Sequence, residues 1–133
     1  MSSNLLLFPM FFHVCWVSFL YVILTVLRAP SAWGVDTASG MIRKYAVIEP
    51  RVSANLSNQF EWPLLFYVGC VLIISIGSVD SFQVFFAWLF VIGRVIHSCI
   101  QILTTNIRFR GAVFTINFIA VVCMWVRLVI VNL

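Results

Sequence analysis

Four long apolar runs limit what this chain can fold into. They cover residues 5–27, 50–76, 82–104 and 111–131, with the second run polar in its first turns and apolar from 60 to 76. A helix of about 20 residues crosses the ~30 Å hydrocarbon core of a bilayer. In hydrocarbon every backbone N–H and C=O must be satisfied by the chain itself, and a helix does this within each segment. Membrane β-strands instead show alternation over about ten residues, and none is visible here. The expected fold class is therefore an all-α integral membrane protein, a four-transmembrane-helix bundle forming a single domain over residues 1–133.

Composition excludes the soluble alternative. Of 133 residues, 63% are hydrophobic and 9% charged, against about 25% charged in a soluble domain. So few charged groups cannot cover the surface of a soluble chain this small. Four spans leave short links and no room for a second domain. The net charge of +4 is too small to suggest a nucleic-acid partner. Cys15, Cys70, Cys99 and Cys123 each lie alone in an apolar run and read as reduced packing residues. No residue cluster has metal-ligand spacing.

The first run is longer than the apolar core of a signal peptide, and no Lys or Arg precedes it, so a retained span is expected. Residues 28–50 form the longest polar link, and Pro50 suits the first turn of the second helix, where its missing N–H costs nothing. Pro63 should kink that helix. Residues 77–81 read as a tight turn, with Asp80 or Ser81 capping the third span. Arg28, Arg43, Lys44 and Arg51 lie in or beside the first link, and Arg108 and Arg110 in the third. Only Arg127 lies near the opposite face. The positive-inside rule then places both basic links in the cytoplasm and both termini on the non-cytoplasmic side.

Ionisable side chains at membrane depth are costly and call for partners. Arg94, His97 and Gln101 are spaced by three and four residues and share one helical face. Asn58 and Glu61 share a face on the second span. Glu61 is the one acid inside an apolar run, so Glu61–Arg94 is the expected buried pair. Such a seam can be a structural network or the lining of a site. His13, alone in the first span, reads as a packing residue.

The segment from Asn58 through Gln59, Phe60, Glu61, Trp62 and Pro63 to Tyr67 resembles the second-helix signature of the MAPEG family, the membrane-associated proteins of eicosanoid and glutathione metabolism. Gly93-Arg94-Val95-Ile96-His97, with Arg110 downstream, resembles the third-helix signature. The likeness covers about residues 50–125, and the Asn-Gln-Phe-Glu form is similar to the bacterial branch. The resemblance implies a homotrimer, here in a bacterial inner membrane, with glutathione as cosubstrate between subunits near the cytoplasmic side. Asn58, Glu61, His97, Gln101 and Arg110 are the candidate binding positions, and Arg94 the structural partner of Glu61. The pattern also departs from the family. Ala54 and Ser57 stand where glutathione-using members carry arginines, Gln101 where a Tyr is usual, and Asn106 at another basic position.

Two functions follow. One is a glutathione-dependent transferase or peroxidase acting on a lipophilic electrophile. The other is a non-catalytic relative that binds lipid or partners. A small four-span transporter would carry an acid in its first span, and this chain has none there.

Overall fold

The computed structural model describes residues 4–34 and 40–133, with side chains from residue 43 onward in the second segment. The described residues form five helices in order: α1 Asn4–Ala32, α2 Gly40–Asn58, α3 Trp62–Ile76, α4 Ser81–Leu103 and α5 Ile107–Asn132. Together α2 and α3 make one traverse, so four helical stretches are long and apolar enough to cross a bilayer.

Two expectations are corrected at the first link. Pro50 does not open a helix; α2 begins at Gly40 and carries Pro50 in its interior. α1 also runs on through Pro30 to Ala32. An internal proline forfeits one helical hydrogen bond, and neighbouring contacts offset that loss. Arg28 Nε donates to Glu49 Oε1 at 2.7 Å and Arg28 Nη2 to Ser53 Oγ at 3.1 Å, which ties α2 to α1 on both sides of Pro50. Leu20 and Leu24 pack against Val52 and Leu56 just beyond it. Residues 35–39 of the expected link lie outside the described residues.

The kink expected at Pro63 is a full interruption. α2 closes tightly, with the Gln59 and Phe60 amides donating to the Leu56 and Ser57 carbonyls at 3.0 Å. Pro63, without an N–H, cannot continue that ladder. It sits instead in the first turn of α3, where no donor is needed.

The turn between α3 and α4 is as expected. Gly77 takes the left-handed conformation (φ 76°) that closes α3 and that residues with a Cβ avoid. The Asp80 carboxylate caps α4 by accepting from the Gln83 amide at 2.8 Å, and also accepts from Arg127 Nε at 3.0 Å. Partial burial raises the Asp80 carboxyl, but the Gln83 amide and the Arg127 guanidinium outweigh it and hold the group below its ordinary value. The third link shrinks to three residues, because Asn106 caps α5 through the Phe109 amide at 3.2 Å. Arg108 and Arg110 therefore stand on the first turns of α5, not in a loop.

One apolar core joins α3, α4 and α5 around Phe66, Ile73, Phe90, Val91, Val121 and Met124. The Phe66 and Phe90 rings stack at 4.5 Å. Outward residues such as Phe8, Phe11, Phe85 and Ile130 are exposed, as a lipid-facing surface requires. α4 meets α5 closely at Gly93, where an added Cβ would overlap the buried Asn117 Oδ1. Neither polar atom of the Asn117 side chain has a hydrogen-bond partner, so this amide acts as a wedge. Gly93→Ala should lower stability by about 1–3 kcal/mol through overpacking. Thermal unfolding in detergent should show most of that loss restored when Asn117→Ala is added.

Candidate functional site

The break between α2 and α3 organises the polar groups around it. An unbroken helix would carry a hydrogen bond from the Trp62 amide to the Asn58 carbonyl. Here Arg94 Nη2, reaching across from α4, donates to that carbonyl at 2.8 Å. Arg94 Nε donates to Gln59 Oε1 at 3.0 Å. Arg94 is 1% exposed and is among the largest fully buried side chains.

Glu61 and Arg94, the expected pair, make no direct ion pair, although the Glu61 charge still acts on Arg94. The two ion pairs among the described residues are Arg28–Glu49 and Arg127–Asp80. Glu61 ends the break, immediately before α3, and is exposed. The carbonyl freed by the break and the neighbouring carboxamide take Arg94's donors first. Glu61 and Arg94 still line the same cavity.

A guanidinium has donors only, so Arg94 sets the direction of the bonds that follow. The Gln59 atom facing Arg94 Nε must be its oxygen. That oxygen also accepts from His13 Nε2 at 3.1 Å. The other end of the amide, Gln59 Nε2, donates to Ser98 Oγ at 2.9 Å and Asn55 Oδ1 at 3.3 Å. Asn55 Nδ2 and Asn58 Nδ2 then donate to Gln101 Oε1 at 3.0 and 3.2 Å. Gln101 is left with no hydrogen bond from its N–H groups.

The cavity has a volume of ≈ 650 Å³ and lies between the break, α4 and the start of α5. That is within the usual range of about 300–1,000 Å³ for small-molecule sites. The structure brings all of Asn58, Glu61, Arg94, His97, Gln101 and Arg110 to its wall. Trp62, which the sequence offered only within the second-helix signature, completes it together with Ile107, Gly111 and Phe114, which the pattern did not single out. Their signal was indistinguishable from ordinary apolar packing. Trp62 stacks on Phe118 at 4.6 Å, giving the cavity an aromatic side toward α5.

Several groups here lack partners. His97 is 4% exposed, yet its Nδ1 has no hydrogen bond, and the Trp62 indole N–H has none either. Buried polar atoms are nearly always satisfied in proteins. Among the described residues the Glu61 carboxylate and the Arg110 guanidinium also make no hydrogen bond or ion pair. An acid and an arginine thus face one space with no hydrogen bond or ion pair between them.

The fold and cavity define an integral membrane four-helix bundle with a polar site recessed among its helices. The MAPEG family model matches residues 6–130, nearly the whole chain. The chain belongs to the MAPEG family. No curated protein and no solved structure gives a significant match.

Gln59 is the residue whose removal tests the network. Gln59→Leu would strand Arg94 Nε and His13 Nε2 without acceptors, and unsatisfied buried groups cost about 1–3 kcal/mol each. Thermal unfolding in detergent should show a loss of at least about 2 kcal/mol. Asn106→Ala, which removes only an exposed cap, should cost about 1 kcal/mol.

Proposed function

We propose that this protein binds glutathione in the cavity beside the helix break and uses it against a lipophilic electrophile, as a transferase or peroxidase. The observation that carries this reading is that Glu61 and Arg110, neither engaged in a hydrogen bond or ion pair through its side chain, line one cavity. Glutathione bears an ammonium group and two carboxylates. Glu61 would receive the ammonium, and Arg110 would hold a carboxylate in a bidentate fork. Asn58, His97 and the free N–H groups of Gln101 would supply further polar contacts. The bound tripeptide would supply a sulfur nucleophile. Cationic neighbours favour the thiolate over the thiol, and Arg94 and Arg110 both line the cavity. The aromatic side formed by Trp62 and Phe114 would meet an apolar cosubstrate arriving from the bilayer.

In this reading the protein is a homotrimer with both termini on the non-cytoplasmic side of a bacterial inner membrane. The basic residues Arg28, Arg43, Lys44, Arg51, Arg108 and Arg110 then lie toward the cytoplasm, where glutathione is available.

Gln101 favours a second reading, in which the same site binds without catalysing. Its carbonyl oxygen is occupied by Asn55 and Asn58, and its N–H groups can donate a hydrogen bond but cannot act as an acid.

Calorimetry of purified protein with glutathione should give saturable heat at millimolar ligand. Arg110→Ala should weaken it about 10- to 100-fold, the worth of a charge-assisted hydrogen bond of about 1.5–3 kcal/mol. Absence of heat from the unmodified protein sinks the proposal. Heat without turnover of a lipophilic electrophile supports the non-catalytic reading.

A further inference from the structure

A smaller recess lies where two spans end. It has a volume of ≈ 290 Å³, and its walls include Arg51 and Ala54 of α2, Gln101 of α4, Thr104 and Thr105 of the link, and Arg110 of α5. α4 ends at Leu103 and α5 begins at Ile107. The recess therefore sits at the level where hydrocarbon gives way to lipid headgroups.

Two arginines share this space, and among the described residues no acid lines it. Arg51 is half-buried and donates from Nη1 to the Ile102 carbonyl at 3.4 Å. That contact holds its guanidinium against the last turn of α4 and leaves its other N–H groups to donate elsewhere. Arg110 makes no hydrogen bond or ion pair through its side chain. Glu49, close to Arg51 in sequence, is bonded to Arg28, and Glu61 lines the larger polar cavity. Two further groups can donate into an anion site. The oxygen of Gln101 accepts from Asn55 and Asn58, which leaves its N–H groups, and Thr105 brings a hydroxyl. Ala54, one turn beyond Arg51 on the same helical face, contributes only a methyl, so the recess stays open.

Like charges in one recess repel unless an anion joins them. The surroundings point to an anion carried by lipid. Leu103, next to Thr104, continues along α4 through Ile96 and Ile92 as an exposed apolar stripe. Basic pockets between transmembrane helices near the membrane surface hold lipid headgroups. We infer that the recess binds the phosphate of an anionic phospholipid between Arg51 and Arg110, with an acyl chain along Leu103, Ile96 and Ile92. Guanidinium groups bind phosphate in a bidentate fork. A zwitterionic headgroup brings its own ammonium beside two arginines and is disfavoured. Lipid binding here does not require glutathione, although Arg110 and Gln101 line both spaces.

The test is native mass spectrometry of the full-length protein in detergent, titrated with phosphatidylglycerol or phosphatidylcholine of matched chains. Phosphatidylglycerol should bind about tenfold more tightly, the worth of one charge-assisted contact. Arg51→Gln should remove most of that preference. Arg43→Gln, which removes the same charge from an exposed position elsewhere on α2, should leave it intact. Ala54→Leu, which fills the recess without changing charge, should weaken phosphatidylglycerol binding. Millimolar inorganic phosphate should displace little of the lipid. Circular dichroism should confirm that the variants keep their helices. Equal binding of the two lipids by the unmodified protein overturns the inference. So does an equal loss from Arg51→Gln and Arg43→Gln, which is general attraction of anionic lipid to a basic protein. Full displacement by inorganic phosphate assigns the recess to a soluble anion and overturns the inference as well.

Discussion

The bond from Arg94 to Gln59 is the constraint on which the interior depends. Arg94 is buried and can only donate, so each amide around it is forced into one orientation. Gln59 must turn its oxygen to Arg94, which aims its nitrogen at Asn55 and Ser98. Asn55 in turn points its nitrogen at Gln101. The result reaches the cavity wall, where Gln101 offers donors and no acceptor. A neutral residue at position 94 would leave each of these amides free to flip, and the cavity would lose its fixed polarity.

Arg94 needs the break in the second traverse as much as the break needs Arg94. Pro63 makes continuation of α2 costly, and the interruption frees the Asn58 carbonyl at a depth where water is scarce. Arg94 satisfies it. In exchange, the guanidinium obtains a backbone acceptor without requiring a carboxylate beside it. Glu61 therefore remains available to the cavity. A direct Glu61–Arg94 ion pair would close off the charges that make the cavity suitable for a zwitterionic ligand.

The apolar runs made the four traverses legible, because hydrocarbon demands helices of a set length. The glycine and acidic cap of the 77–81 turn were legible for the same local reason. Register was harder to read. Treating residues 50–76 as one helix keeps a single phase across Pro63, but the phase resets at 59–61. The spacing of Asn58 and Glu61 therefore says nothing reliable about a shared helical face, although both reach the cavity. The Arg94 partner was missed because complementary charge was the visible signal, while a backbone carbonyl has no sequence signature. Pro50 misled for a related reason: packing of α2 on α1 outweighed its local preference. His13 was read correctly as a satisfied residue. Its partners Gln59 and Tyr67 lie 46 and 54 residues away, beyond the reach of any local pattern.

Gln59 and Arg94, joined by one hydrogen bond, stand between two chambers of opposite character: Arg94 lines the polar cavity, and Gln59 lines a smaller, mostly apolar one beside α1. Across such a wall a protein in a bilayer risks conducting protons. A carboxylate at this position could pick up a proton on one side and release it on the other. A carboxamide has no readily exchanged acid, and all four of its hydrogen-bonding positions are filled, which leaves no berth for a bridging water.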